Sequence, residues 1–366
     1  MHSQLGLQRQ LNQCINGMKF EQPEEVVRWM GAMQAQDYGQ AVWAIGLRTQ
    51  SATLTGVERA IAEGKILRTW PMRGTIHFVP AQDAKWMVRL SAQRMIASGR
   101  RRREGLGLDE TTLERGKQLF FDALNGGRRL TRAAMFTLLE NAGIPPANQR
   151  GYHVLGYAAL TGLICIGPMQ GKQQTFVLLD EWAPGPRDFS GEEALAELAR
   201  RYFASHGPAT LYDFAWWAGL PLKDARLGAA AARPALSSAV AGEKEYWWAG
   251  DLPEQATADQ PEDVQLLPGF DEYLLGYTDR SDVLDGGHAQ KVVPGNNGMF
   301  RPMVVVNGQV SGAWKRTVKK KALEITLEPF TPLAAAEETI RAAAQRYSRF
   351  LELPLSSLSI EASAVK

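Results

Sequence analysis

Cysteine is nearly absent from this chain: Cys14 and Cys165, far apart in sequence, are the two in 366 residues. That excludes a disulfide framework and fits a reducing cytoplasm. Cys165, within Leu163-Ile164-Cys165-Ile166, reads as a small buried hydrophobe. Histidine is scarce too. His2, His77, His153, His206 and His288 share no ligand-like spacing with one another or with cysteine, so no metal centre is expected. No Gly-rich phosphate loop follows a strand, and no cofactor is expected. The longest apolar run, Val154 to Gly167, is too short and too rich in glycine to span a bilayer, and Met1-His2-Ser3-Gln4-Leu5 has no apolar signal core. A cytoplasmic protein with no membrane partner is the expectation. Nor does one sign of charge dominate: 41 Lys and Arg face 39 Asp and Glu, a net +2. Such a balance neither demands nor excludes nucleic acid; clustering decides.

What is present is the ordinary mixture of a globular protein, 45% hydrophobic and 22% charged, in a chain too long for one core. The patterning predicts helices over 5–15, 23–33 and from Thr53, then strands over 66–70 and 75–79. Helices follow over 81–96, 109–124 with an Asp cap, 131–141 with a Thr cap, and 149–160, then strands over 163–166 and 175–179. Trp182-Ala183-Pro184-Gly185-Pro186 reads as a linker. Beyond it the scheme repeats, with helices over 192–205, 211–217 and 222–230 and a strand over 243–248. The tail predicts strands over 301–306, 310–314 and 323–327, with Asn307-Gly308 the strongest hairpin signal, and a closing helix over 332–352. Helices followed by a β-hairpin make a winged-helix pattern. The expected fold is therefore α+β and helix-rich: winged-helix units over 1–80, 81–181 and 190–265, then a β-rich unit over 266–366, a small barrel or sheet.

The stretch from Val26 to Gly39 stands out. Pro23-Glu24-Glu25 is a good helix start, and Val26, Met30 and Met33 make one apolar stripe. After Met33 comes Gln34-Ala35-Gln36. In an extended segment, residues two apart point the same way, so two amides would converge on one point. Taken bare, the pattern fits a solvated loop or cap equally well.

Three further stretches give it context: Trp70-Pro71-Met72-Arg73-Gly74-Thr75-Ile76-His77, then Leu267-Pro268-Gly269-Phe270-Asp271-Glu272-Tyr273-Leu274-Leu275-Gly276-Tyr277, then Asp279-Arg280. With Gln-Ala-Gln, they resemble the AlkZ/YcaQ-like winged-helix DNA glycosylases over nearly the whole chain. The resemblance implies tandem winged helices, catalytic roles for Gln34 and Gln36, and alkylated duplex DNA as partner of a monomer, associated with the nucleoid when bound. The family carries Gln or Asp at the position of Gln36. Here an aspartate, Asp37, follows one residue later; it reads as a turn or cap residue and is the alternative catalytic group.

The remaining candidates keep two readings each. Arg73 and His77 either contact the nucleotide backbone or lesion pocket, or brace the hairpin and sit satisfied in the interior. Arg100, Arg101, Arg102 and Arg103, bracketed by Gly99 and Gly105, suggest a mobile loop that either contacts phosphates or is a solvated face. Lys315 and Arg316, with Lys319, Lys320 and Lys321, form a second such patch. Asp271 and Asp279 have a bland alternative, a buried ion pair with an arginine.

Chemistry narrows the substrate. The motif offers no carboxylic acid to protonate a leaving base and no adjacent lysine to form a Schiff base. A fixed carbonyl can, however, support the oxocarbenium character of a sugar losing its base. Such a site suits a cationic alkylpurine, which leaves as a neutral molecule, and not uracil. The resemblance extends the range to bulky adducts and interstrand crosslinks. The competing readings are a non-catalytic winged-helix DNA-binding regulator, for which Arg150, Tyr152 and His153 open a candidate recognition helix, and a hydrolase of free nucleosides.

Overall fold

The computed structural model describes residues 2–183, 185–251 and 263–362; Pro184, in the middle of the expected linker, lies outside them. The chain forms two compact units, Met1–Val57 with Ala196–Lys366, and Glu58–Leu195. The architecture is α+β and helix-rich.

In the unit Glu58–Leu195, nearly continuous runs of buried residues build two antiparallel hairpins, Ile66–Met72 with Thr75–Pro80, and Ile164–Gln170 with Gln173–Leu178. They join where Arg68 pairs with Ile166, and the short strand Leu130–Thr131 extends the far edge beside Gln173–Leu178. The helices Ala84–Ser98, Glu110–Leu124, Arg132–Asn141 and Arg150–Leu160 contribute to this core. Their starts follow capping chemistry: Asp109 accepts from Thr112 N–H (2.8 Å) and Thr131 from Ala134 N–H (3.3 Å). Phe120, Leu124, Met135, Leu139 and Val154 are buried together. Gly116 lets two helices approach closely, since a Cβ there would stand 2.5 Å from a Val154 methyl.

The expected loop at the arginine run is instead a helix, Arg100–Gly105. Arginine is a good helix former, and the flanking glycines lie at the ends: Gly99 caps with a helical φ of −83° and Gly105 is the last residue.

In the other unit, the strands run in the order Leu355–Ile360, Ala322–Pro329, Gln309–Lys319, Met303–Val306, Val264–Leu267. The first pair is parallel and the rest antiparallel. This is an open sheet: its two end strands do not pair with each other among the described residues. Asn307-Gly308 makes the two-residue turn, with φ of 46° and 78° and Val306 paired to Gln309, as a type I′ turn requires.

The helices Tyr38–Arg48 and Glu337–Phe350 belong to this unit. Trp43 packs edge-on to Tyr347 at 4.9 Å and donates from its indole to Leu266 O (2.8 Å). Trp314 donates likewise to Leu267 O (2.7 Å), so both buried indoles are satisfied. The closing helix begins at Glu337 and not at Pro332. The helix Pro23–Met30 also stops a turn earlier than its apolar stripe suggests, because Gly31 turns away with φ 76° and ψ −55°. That early stop leaves Met33 and Gln34 extended.

Candidate active site

The Gln-Ala-Gln segment is a short bridge between two helices, and each end is fixed by local chemistry. At the entry, Gln22 N–H donates to Glu25 Oε2 (3.0 Å) to start Pro23–Met30. Gly31 ends that helix in a conformation side chains rarely adopt, against Arg201 and the Trp217 ring. At the exit, Asp37 is the cap of Tyr38–Arg48, accepting from Gln40 N–H at 3.2 Å.

Between these ends Gln34 is 9% exposed, whereas Gln36 and Asp37 are exposed. Gln34 Oε1 accepts the Gln36 backbone N–H at 3.2 Å, so the first glutamine shapes the turn that presents the second. The equivalence of the two amides expected from spacing alone is replaced by a division: one amide folds the segment and the other faces solvent.

Beneath the segment lies Glu272, 1% exposed. Its Oε1 accepts Gln34 N–H at 2.9 Å, its Oε2 accepts Trp217 Nε1–H at 3.0 Å, and His206 Nε2 stands 3.5 Å from Oε2. His206 is stacked on Tyr202 (4.7 Å between centroids), with Ser205 Oγ 2.8 Å from Nδ1. Burial lowers its pKa, outweighing the opposing pull of Glu272.

The Leu267–Arg280 motif forms a brace for this arrangement. Asp271 caps the turn Glu272–Leu275 through Tyr273 N–H and forms a fully buried bidentate ion pair with Arg48 (2.8 and 2.9 Å). Tyr273 OH donates to Gly308 O (2.6 Å), and Tyr277 OH donates to His206 O (2.7 Å) while accepting from Gln13 Nε2 (3.0 Å). Arg280 Nε donates to Leu274 O (2.8 Å). Asp279 pairs with Lys244, and that bond holds its carboxyl well below the usual range. Glu272, His206 and Trp217 escape sequence reasoning because each comes from a distant element. The one available signal was a pair of carboxylates, Asp271-Glu272, opening the apolar run Tyr273-Leu274-Leu275.

The basic candidates divide. His77 is fully buried; its Nδ1 lies 3.0 Å from Thr75 O, which places the proton there, and Nε2 stands 3.4 Å from Arg73 Nη2. These contacts tie His77 into the hairpin. Arg73 sits in the hairpin turn with φ 51°. Arg103 is also withdrawn: it is 8% exposed, donates to Ile96 O and lies over the Tyr157 ring. Arg100, Arg101 and Arg102 are exposed, with Arg100 bound to Glu104 (2.7 Å) and Arg102 to Gln149 Oε1 (3.3 Å). Arg150, at the start of the candidate recognition helix, is used within the fold, donating to Pro145 O and Leu106 O. Lys315 is held between Glu328 (3.0 Å) and Glu361 (2.8 Å). Arg316 reaches the segment itself: a Cβ on Gly39 would stand 3.0 Å from its Nη2 and 3.7 Å from Asp37 Oδ1. The structure thus gathers Gln36, Asp37 and Arg316 near the start of Tyr38–Arg48.

Among the described residues no cluster of His, Cys, Asp and Glu could hold a metal ion, and no helix is long and apolar enough to cross a membrane.

Comparison with known proteins bears on the family and the fold. The model of the family described as DNA glycosylase AlkZ-like matches residues 27–350. An interstrand DNA cross-link repair glycosylase of Streptomyces sahachiroi is 27% identical over 347 residues, covering 86% of this chain and 88% of the relative. The solved structure of the Streptomyces sahachiroi DNA glycosylase AlkZ superposes with a TM-score of 0.81 at 22% identity, over 98% of this chain and 99% of the other.

Proposed function

Since the chain belongs to the AlkZ-like DNA glycosylase family and is a DNA glycosylase, a hydrolase of N-glycosidic bonds in DNA repair, we propose that it releases cationic alkylated purines from duplex DNA through Gln34 and Gln36. The observation that carries this reading is the exposed side chain of Gln36, on a backbone whose N–H is held by Gln34 over a braced buried network. An amide is no general base at neutral pH, but its carbonyl dipole can face developing positive charge and its N–H groups can orient water.

In the reaction the C1′–N bond breaks with its electron pair going to the base. An N7- or N3-alkylated purine carries a formal positive charge and departs neutral, so no acid is needed. Water then adds to C1′ and its proton passes to solvent. With no lysine in or beside the motif, strand cleavage through a Schiff base does not follow, and the enzyme is monofunctional. Asp37 is the next candidate; its cap bond uses Oδ1 and its side chain is exposed.

On this reading the helix–helix–hairpin groups are tandem winged-helix units of a monomer that lies along the duplex. Arg100, Arg101 and Arg102 meet phosphates on one unit, and Arg316 with Lys315 on the other. Bulky adducts and interstrand crosslinks fit the same leaving-group logic, in line with the name of the Streptomyces relative. The test is a side-by-side assay on one duplex context carrying 7-methylguanine or uracil. Release of 7-methylguanine with little uracil release is expected; comparable or faster uracil release contradicts the leaving-group argument.

A further inference from the structure

We infer that Glu272 is a positioning residue for the Gln-Ala-Gln segment, acting through a relay of two hydrogen bonds, Glu272 Oε1 to Gln34 N–H and Gln34 Oε1 to Gln36 N–H; this rests on the reading of Gln36 as the presented group. The two bonds, 2.9 and 3.2 Å, lead from the interior to the backbone N–H of Gln36, whose side chain is exposed. A fully buried carboxylate is costly to fold around and is kept only where donors saturate it. Glu272 has such donors from two directions. Gln34 N–H takes one oxygen and Trp217 Nε1–H the other, with His206 Nε2 3.5 Å from the second. The Trp217 bond orients the carboxylate so that Oε1 meets the segment where it leaves Gly31. Arg48, paired to Asp271 on the preceding residue, fixes the turn that carries Glu272.

The consequence is a split between chemistry and binding. Without the first bond of the relay, Gln34 loses its anchor and the Gln36 amide shifts, whereas the arginines assigned to phosphate contact are untouched. A misplacement of about 1 Å at a reacting centre costs on the order of 100-fold in rate. Glu272→Ala should therefore slow single-turnover release of 7-methylguanine by about 10–100-fold while leaving the Kd for undamaged duplex unchanged. Glu272→Gln keeps an oxygen acceptor for Gln34 N–H and should stay within about 5-fold of the parent rate.

All rates are measured well below each variant's Tm. Asp83→Asn, which weakens a half-buried bond to Arg187 in the other unit, serves as a destabilised control with the parent rate. A parent rate for folded Glu272→Ala, or equal losses for the Ala and Gln variants, overturns the relay. If Glu272→Ala does not fold, Trp217→Phe removes one orienting N–H while keeping most of the ring volume. A loss of about 3–10-fold there, with unchanged Kd, supports the relay, and the parent rate overturns it. Gln36→Ala in parallel separates the two proposals: if Gln36→Ala loses activity and the Glu272 variants do not, the relay alone fails.

Discussion

Exchanging Arg48 for methionine should be among the most destabilising single changes in this protein. The guanidinium and the Asp271 carboxylate are both fully buried and meet in two bonds of 2.8 and 2.9 Å. Arg48 also donates to Gln13 O, Gln13 Oε1 and Ala44 O, so it ties Tyr38–Arg48, the N-terminal helix region and the Asp271 turn together. Arg48→Met keeps the aliphatic volume and leaves Asp271 in the interior with the Tyr273 N–H alone among those named bonds. Breaking such a pair from one side costs about 3–5 kcal/mol, against a total stability of roughly 5–15 kcal/mol. At about 2–4 °C per kcal/mol for a unit of this size, Tm should fall by roughly 6–20 °C. Asp271→Asn should fall within the same range. The double variant Arg48→Met with Asp271→Leu should recover about half of the loss, because the stranded charge is gone while the Gln13 acceptors remain unmet. Thermal melts followed by circular dichroism measure all three. A single-variant shift under about 2 °C, or a double variant less stable than either single one, would refute the account of this pair as the brace beneath the site.

Three further outcomes are expected. Gly31→Ala should cost about 1–3 kcal/mol, since φ 76° with ψ −55° is strained for any side chain, and should slow excision by shifting the start of the motif; an unchanged Tm contradicts this. Replacing Arg100, Arg101 and Arg102 with alanine should weaken binding to any duplex and flatten the salt slope by about one unit for each phosphate no longer neutralised, whereas Arg103→Ala should chiefly lower Tm; an unchanged salt slope returns the run to a solvated face. His206, with a pKa pulled below its ordinary 6.5 by burial, takes up its proton more readily when unfolded; stability should therefore be present above pH 6.5 and fall as pH drops through it. His206→Gln should reduce that slope in melts between pH 7.5 and 5.5, without abolishing it because His153 shifts the same way; an unaltered slope contradicts the assignment.

Much of the fold is legible in the sequence because its punctuation is local. Asp109, Thr131 and Thr210 cap helices as their side chains dictate, and Asn307-Gly308 turns a hairpin whose two central residues need positive φ. The arginine run misleads because its glycine brackets suggest a loop, while arginine's own helix propensity decides. The candidate segment was legible as extended chain after a helix, and Asp37 as an aspartate that caps. What a linear reading cannot give is the inequality between the two glutamines. That depends on Glu272, brought from 238 residues away by the Asp271–Arg48 pair. Nor can it tell that His77 and Arg103 turn inward while Arg316 reaches the segment, since pattern alone does not distinguish a polar strand or helix residue facing the core from one facing a groove.

The central claim is that the Gln36 amide, presented by Gln34, supports bond breaking more than binding. Gln36→Ala should lower the single-turnover rate of 7-methylguanine release by about 10²–10³-fold, with the Kd for the same duplex nearly unchanged. Release at the parent rate by folded Gln36→Ala, or a rate loss explained wholly by weakened DNA binding, would contradict it.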